Sequence, residues 1–172
     1  MSPRHRAHEV SLRAAGADDR SLPGRALCLA ADPDGPGLSV EEAAGPPELA
    51  RYVRGWPQAG DVGVVAETPT GELVAAAWAR LFAPEARGHG FVSPVVPELA
   101  MAVEPAWRGL GWGGAVLDGL LSALRTRGVG SVSLSVRDTN TAARALYDAR
   151  GFVAVGRAGA EDTASAVMLL VL

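Results

Sequence analysis

The segment Val103–Gly114 reads VEPAWRGLGWGG, and its reading governs that of the whole chain. Just ahead of it, Leu99–Val103 (LAMAV) is short, apolar and bounded by Pro97 and Pro105, which is the pattern of a buried strand. Behind it, Val116, Leu117, Leu120, Leu121 and Leu124 recur at three- and four-residue intervals, so a helix with one buried face follows to about Arg127. Gly109, Gly111, Gly113 and Gly114 therefore stand at a helix N-terminus. There the first N–H groups lack intrahelical partners and the macrodipole is positive, so an anion gains hydrogen bonds and charge stabilisation together. Glycines let a phosphate approach the backbone and allow positive φ, and Arg108 adds a fixed positive charge.

Phosphate-holding patterns compete for this segment. A P-loop needs a lysine after its glycines, whereas all sixteen basic residues of this chain are arginines. The dinucleotide fingerprint G-x-G-x-x-G is present as Gly109, Gly111 and Gly114, with Asp138 at the end of the next strand as the ribose-binding acid. Against a dinucleotide-binding protein, the fingerprint falls after residue 100 and little chain follows Asp138 for further βαβ units.

A third pattern is a resemblance. Val103–Gly113 resembles the pyrophosphate loop of the GNAT superfamily of acyl-CoA-dependent N-acetyltransferases, with Arg108, Gly111 and Gly113 on its key positions. A second block, NTAARALYDARGF from Asn140 to Phe152, is similar to the superfamily's other signature at Asn140, Ala143, Leu146, Tyr147, Gly151 and Phe152. The two blocks stand in the superfamily's order, separated by one helix and one strand, and the resemblance covers roughly residues 60 to 157. It implies an α/β fold: a mixed, mostly antiparallel sheet of about six to seven strands flanked by helices, with central strands splayed apart to hold acyl-CoA.

Composition is that of a globular protein: 172 residues, 48% hydrophobic and 20% charged. A net charge of −3 argues against a protein that binds nucleic acid through phosphate contacts. No apolar run approaches the length of a membrane span, and MSPRHRAHEV lacks the apolar core of a secretion signal, so the cytoplasm is the expected compartment. Cys28, the one cysteine, fits a reducing compartment.

Along the chain, residues 1–8 are expected to be a loose end and residues 9–172 a single domain. Glu9–Arg13 is a candidate first strand. From Asp18 to Gly60 the pattern is weak and reads helix, loop, helix, with an apolar patch at Ala26–Ala31, a DPDGPG break, and helical spacing of Leu49, Tyr52 and Val53. Val62–Thr68 and Leu73–Phe82 form a hairpin, and Ala83–Pro97 is a loop. Alternating SVSLSV marks the strand Val132–Val136, with one apolar and one polar face. A helix over Thr141–Arg150 and strands Phe152–Arg157 and Ala164–Leu172 complete the reading.

The resemblance implies direct transfer of an acetyl group from acetyl-CoA, as co-substrate, to a primary amine of a small molecule or peptide. It assigns the pyrophosphate to the backbone of Arg108, Gly109, Leu110, Gly111, Trp112, Gly113 and Gly114, and the pantetheine arm to the backbone of Met101, Ala102 and Val103. Tyr147 matches the tyrosine that hydrogen-bonds the thioester sulfur and can protonate the departing thiolate, a phenol near pKa 10 being a reasonable donor, with Asn140 contacting the cofactor nearby. An amine near pKa 10 must also lose a proton. Glu98, at the start of the strand, is the first candidate base, but its parity is opposite to that of Leu99, Met101 and Val103, so it also reads as an exposed strand-end carboxylate.

His89 is a weaker candidate base. In the branch that acetylates protein N-termini a glutamate stands twelve residues before the tyrosine, and that position here is Ser135. Cys28 has no evident histidine partner and is not expected to carry an acyl group. Trp107 and Trp112 read as packing residues, and Glu104, Asp118 and Asp148 as solvating charges. No cluster has metal-ligand spacing. A non-catalytic acyl-CoA-sensing or partner-binding module is the alternative, and a homodimer formed through the sheet is compatible with the superfamily.

Overall fold

Strands β1 (Ser11–Ala14), β2 (Val62–Glu67), β3 (Leu73–Arg80), β4 (Glu98–Val103), β5 (Ser131–Arg137), β6 (Val153–Ala158) and β7 (Ser165–Val171) form one sheet in the order β1-β2-β3-β4-β5-β7-β6. Helices α1 (Leu27–Ala31), α2 (Val40–Ala44), α3 (Pro47–Ala50), α4 (Trp112–Thr126) and α5 (Thr141–Asp148) flank it. These elements come from a computed structural model that describes residues 9–19, 22–33, 35, 37–160 and 164–172. The loose end expected at residues 1–8 lies outside the described residues.

Every neighbouring pair of strands is antiparallel except β4 and β5, which run parallel and pair at one position only, Glu98 opposite Ser133. Beyond that pair the two strands part. Hydrophobic clusters cover both faces of the sheet. On one, Val116, Leu117, Leu120, Leu121 and Leu124 of α4 pack on Val64, Ala75, Ala77 and Leu99, each buried aliphatic side chain contributing about 1.5–3 kcal/mol. On the other, Leu22, Leu27, Cys28, Tyr52 and Phe82 pack on Val65, Ala76 and Trp78. Burial on both faces is why VGVVA in β2 and AAAWA in β3 read as continuous apolar runs rather than alternations.

The region read as helix, loop, helix holds more pieces than expected. A kinked helical turn at Leu22–Ala26 precedes α1, and α2 and α3 follow as separate short helices. The signal for α2 was present: Ser39 and Glu42 form a reciprocal capping box. Pro47 at its first turn starts α3, and the chain then continues through turns rather than as a helix to Gly55. This segment is tied to the sheet by a buried ion pair. Arg80 meets Asp61 at 2.5 Å and also donates to the carbonyls of Arg51 (2.8 Å) and Arg54 (2.9 Å), while Trp78 Nε1 donates to Tyr52 O (3.2 Å). Tyr52 is thereby fixed over β3 and β4.

Two of the three carboxylates read as solvating charges make ion pairs instead. Glu104 pairs with Arg25 and Asp118 with Arg150, both at 2.6 Å, so they join segments distant in sequence; Asp148 is exposed. Such contacts are invisible to local spacing.

Candidate active site

The Pro97 carbonyl accepts the N–H of Ser133 (3.0 Å), while Glu104 N–H reaches back to Val74 O in β3 (2.9 Å). Peptide groups alternate sides along a strand, so those of Leu99, Met101 and Val103 turn toward β5 and those of Ala100 and Ala102 toward β3. Because β5 has already moved away, Met101 and the N–H of Val103 form a bare strand edge, whereas Ala102 has its peptide groups on the β3 side. Arg108 Nε donates to the Val103 carbonyl at 3.2 Å, holding an exposed guanidinium at the end of this edge.

The edge leads into the start of α4. Gly109 and Gly111 take φ of +72° and +89°, values that side chains disfavour, and the turn they make aims the following peptides outward. The first helical bond of α4 is Ala115 N–H to Gly111 O (3.0 Å). Among the described residues, the N–H groups of Gly109, Leu110, Gly111, Trp112, Gly113 and Gly114 have no partner. A Cβ at Gly113 would stand 3.3 Å from Met101 Cε, so the small residue lets the helix start press against β4. Trp107 and Trp112 pack beside the α4 core as expected, and the Trp112 indole N–H is buried without a partner. These bare donors and the strand edge suit an elongated ligand with an anionic end and amides along its length.

A cavity of about 430 Å³ occupies the gap between β4 and β5, reached by Met101, Asn140, Tyr147, Tyr52, Glu98 and His89. Asn140 caps α5, its Oδ1 accepting Ala143 N–H at 3.1 Å. Tyr147 on α5 is buried with its ring edge-on to Phe152 at 5.5 Å, and its hydroxyl has no partner among the described residues. Burial raises its pKa, so the phenol stays protonated.

Glu98 is 3% exposed, which removes the reading as an exposed strand-end carboxylate. Its opposite parity does place it on the other face of β4, but that face is covered by the segment carrying Tyr52. Glu98 Oε1 accepts the Tyr52 hydroxyl at 2.5 Å and the Gly90 N–H at 2.8 Å, while Oε2 is buried without a partner. Burial pushes the Glu98 pKa up, against the opposing effect of the Tyr52 and Gly90 hydrogen bonds and the Arg51 charge.

His89 sits on the rim with an exposed side chain, and its backbone N–H donates to Tyr52 Oη at 2.8 Å. Desolvation on its cavity side, then Arg51, lowers its pKa. Ser135 lines the cavity without an acid group, and Cys28 is buried with its thiol pKa raised chiefly by burial, which leaves it a poor nucleophile. Tyr52, Gly88, Gly90 and Ser133 escaped the sequence reading. Ser133 lies opposite Glu98 with its hydroxyl buried and unpartnered, although SVSLSV had suggested a polar, open face. No local pattern signals Tyr52, whose partner is 46 residues away.

A family model described as the acetyltransferase (GNAT) family matches residues 32–152. The chain belongs to the GNAT acetyltransferase family. Among curated relatives, the [ribosomal protein bS18]-alanine N-acetyltransferase of Haemophilus ducreyi is 40% identical over 52 residues, covering 30% of this chain and 36% of that protein. The mycothiol acetyltransferase of Thermobispora bispora is 37% identical over 82 residues, covering 48% of this chain and 27% of that protein. The matched stretches thus span about a third or less of these relatives' lengths. The structure of yncA from Salmonella typhimurium with its cofactor acetyl-CoA superposes with a TM-score of 0.66 at 19% identity, covering 95% of this chain and 94% of that one. That likeness confirms the GNAT fold, a mostly antiparallel mixed sheet flanked by helices.

Proposed function

We propose that this protein is a single-domain, acetyl-CoA-dependent N-acetyltransferase that acts on a primary amine of a small molecule or peptide by direct attack in a ternary complex. One observation carries the reading. β4 and β5 pair only at Glu98 and Ser133, so a bare strand edge runs from the unpartnered N–H groups of Gly109–Gly114 to a buried carboxylate, over about 17 Å at strand rise.

Acetyl-CoA, when bound, supplies an activated thioester carbon. The N–H groups from Gly109 to Gly114 and the Arg108 guanidinium hold its pyrophosphate. Met101 and Val103 pair with the amides of its arm as an added strand would, and Ala102 keeps that edge in register through β3. Glu98 is the final acceptor of the proton that the acceptor ammonium must lose to free its nitrogen lone pair. The C–N bond then forms as the C–S bond breaks, and the second nitrogen proton leaves with the sulfur. Tyr147 donates a hydrogen bond to that sulfur, and Asn140 orients α5 beside it. With its pKa raised, Tyr147 stabilises a thiolate better than it surrenders a proton.

Cytoplasmic residence fits the lone buried cysteine. A homodimer is supported by Val153 and Val155, both exposed on the edge strand β6, and sedimentation at micromolar concentration checks it.

The experiment has two parts. Acetyl-CoA at a hundredfold excess over its Kd should raise the Tm by roughly 5 °C or more, as a ligand of the folded state does. CoA release is then followed with alaninamide, an alanine-initiated peptide, glucosamine and spermidine. Release with one of these supports the reading; a melting shift with no release from any favours a non-catalytic acyl-CoA sensor; and a shift with NAD in place of acetyl-CoA favours a dinucleotide-binding protein.

A further inference from the structure

A carboxylate offers four lone-pair positions, two on each oxygen. Both positions on Glu98 Oε1 are taken, by the Tyr52 hydroxyl and the Gly90 N–H. Oε2 accepts nothing, yet it is sealed: a Cβ placed on Gly88 would fall 2.0 Å from it, so the Gly88 backbone lies directly over it. The same loop is wedged against the sheet, since a Cβ on Gly90 would meet the Leu134 backbone at 2.4 Å. Glu98 therefore presents no open oxygen to an ammonium ion in the cavity. The hydroxyl of Tyr52, a residue that lines the same cavity, stands against this carboxylate. It donates to Glu98, accepts one N–H from His89 at 2.8 Å, and keeps a second lone pair.

We infer that Tyr52 is a catalytic residue that takes the proton of the acceptor ammonium on its Oη while passing its own hydroxyl proton to Glu98 Oε1. One N–H bond breaks and one O–H bond forms at Tyr52; the original Tyr52 O–H breaks and an O–H forms on Glu98. The ammonium becomes an amine, tyrosine ends as it began, and the carboxylate becomes an acid. No phenolate accumulates, because burial, then the Glu98 charge, holds the Tyr52 pKa up.

The relay is held in place from several sides. The Tyr52 ring stands edge-on to Phe82 at 5.1 Å, its carbonyl accepts Trp78 Nε1, and its neighbour's carbonyl accepts Arg80. The charged or titratable groups around it are Arg51, His89 and the Arg80–Asp61 pair, the last already mutually neutralised.

This inference rests on the acetyltransferase reading, and the Tyr52→Phe variant separates the two. With the panel amine that the unaltered protein turns over fastest, Y52F should lose about a hundredfold in kcat/KM at pH 7, within the range for acid–base groups. Its deficit should shrink toward none near pH 10, where the amine is neutral without help. The acetyl-CoA melting shift should be unchanged. A deficit of equal size at every pH, or none at pH 7, overturns the relay while leaving the acetyltransferase intact; absence of transfer by the unaltered protein overturns both. Should Y52F lose its cooperative melting transition, the dependence of kcat/KM on deuterium fraction in the unaltered protein decides. Two protons in flight bow that plot, and a straight line overturns the relay.

Discussion

The two banks of the β4–β5 gap are built by different means. On the side proposed for the cofactor, the strand edge, the Gly109–Gly114 turn and the α4 N-terminus are contiguous in sequence, and most of the groups proposed to bind it belong to the backbone. On the acceptor side, Tyr52, the Gly88–Gly90 loop and Glu98 come from separate segments and meet through side chains, held by the buried Arg80–Asp61 pair. Backbone recognition of an anion demands a particular local conformation, which a short motif can write. A side-chain constellation demands only that distant segments arrive together, and any residue in between is free to vary.

That contrast can be broken by experiment. The largest effect is expected from Glu98→Gln, which should lower kcat by about 10²–10⁴-fold while leaving the acetyl-CoA melting shift intact. Burial raises the Glu98 pKa, so kcat/KM of the unaltered protein should climb with pH through a value above the ordinary 4.5, as the carboxylate form appears. That limb should vanish in E98Q, and a retained limb would remove Glu98 as the base. A smaller, opposite effect is expected on the other bank. Gly111→Val places a branched side chain at φ +89°, at a cost of about 1–3 kcal/mol. Titration should show acetyl-CoA binding weakened by roughly 5- to 150-fold with kcat at saturation nearly unchanged, and unaltered affinity would detach the turn from cofactor binding. Smallest is Tyr147→Phe, expected to cost about tenfold in kcat, because a thiolate with a pKa near that of cysteine needs little help to leave. An undiminished kcat would falsify a role for Tyr147 at the sulfur.

Legibility followed the same division. The hairpin of β2 and β3, the strand β4, the helix α4 and the order of the last three elements all stood in the sequence as periodicity and turn residues, with ends off by a residue or two. Between Asp18 and Gly60 the pattern failed because α1, α2 and α3 are four or five residues long, too short for a 3.6-residue period to repeat. Glu98 was legible as a candidate but not as a buried one. Parity told which face it took, and only the packed structure told that this face was covered too.

The sequence by itself determined a buried strand, a glycine-rich turn and a helix start in series, and with them the turn proposed to hold pyrophosphate, since these depend on interactions within a few residues. Tertiary structure decided that β5 leaves β4 after one pair, that Ser133 is closed in, and that Tyr52 meets Glu98 beside the cavity. Those outcomes depend on contacts between segments dozens of residues apart, whose geometry is fixed only when both faces of the sheet are packed.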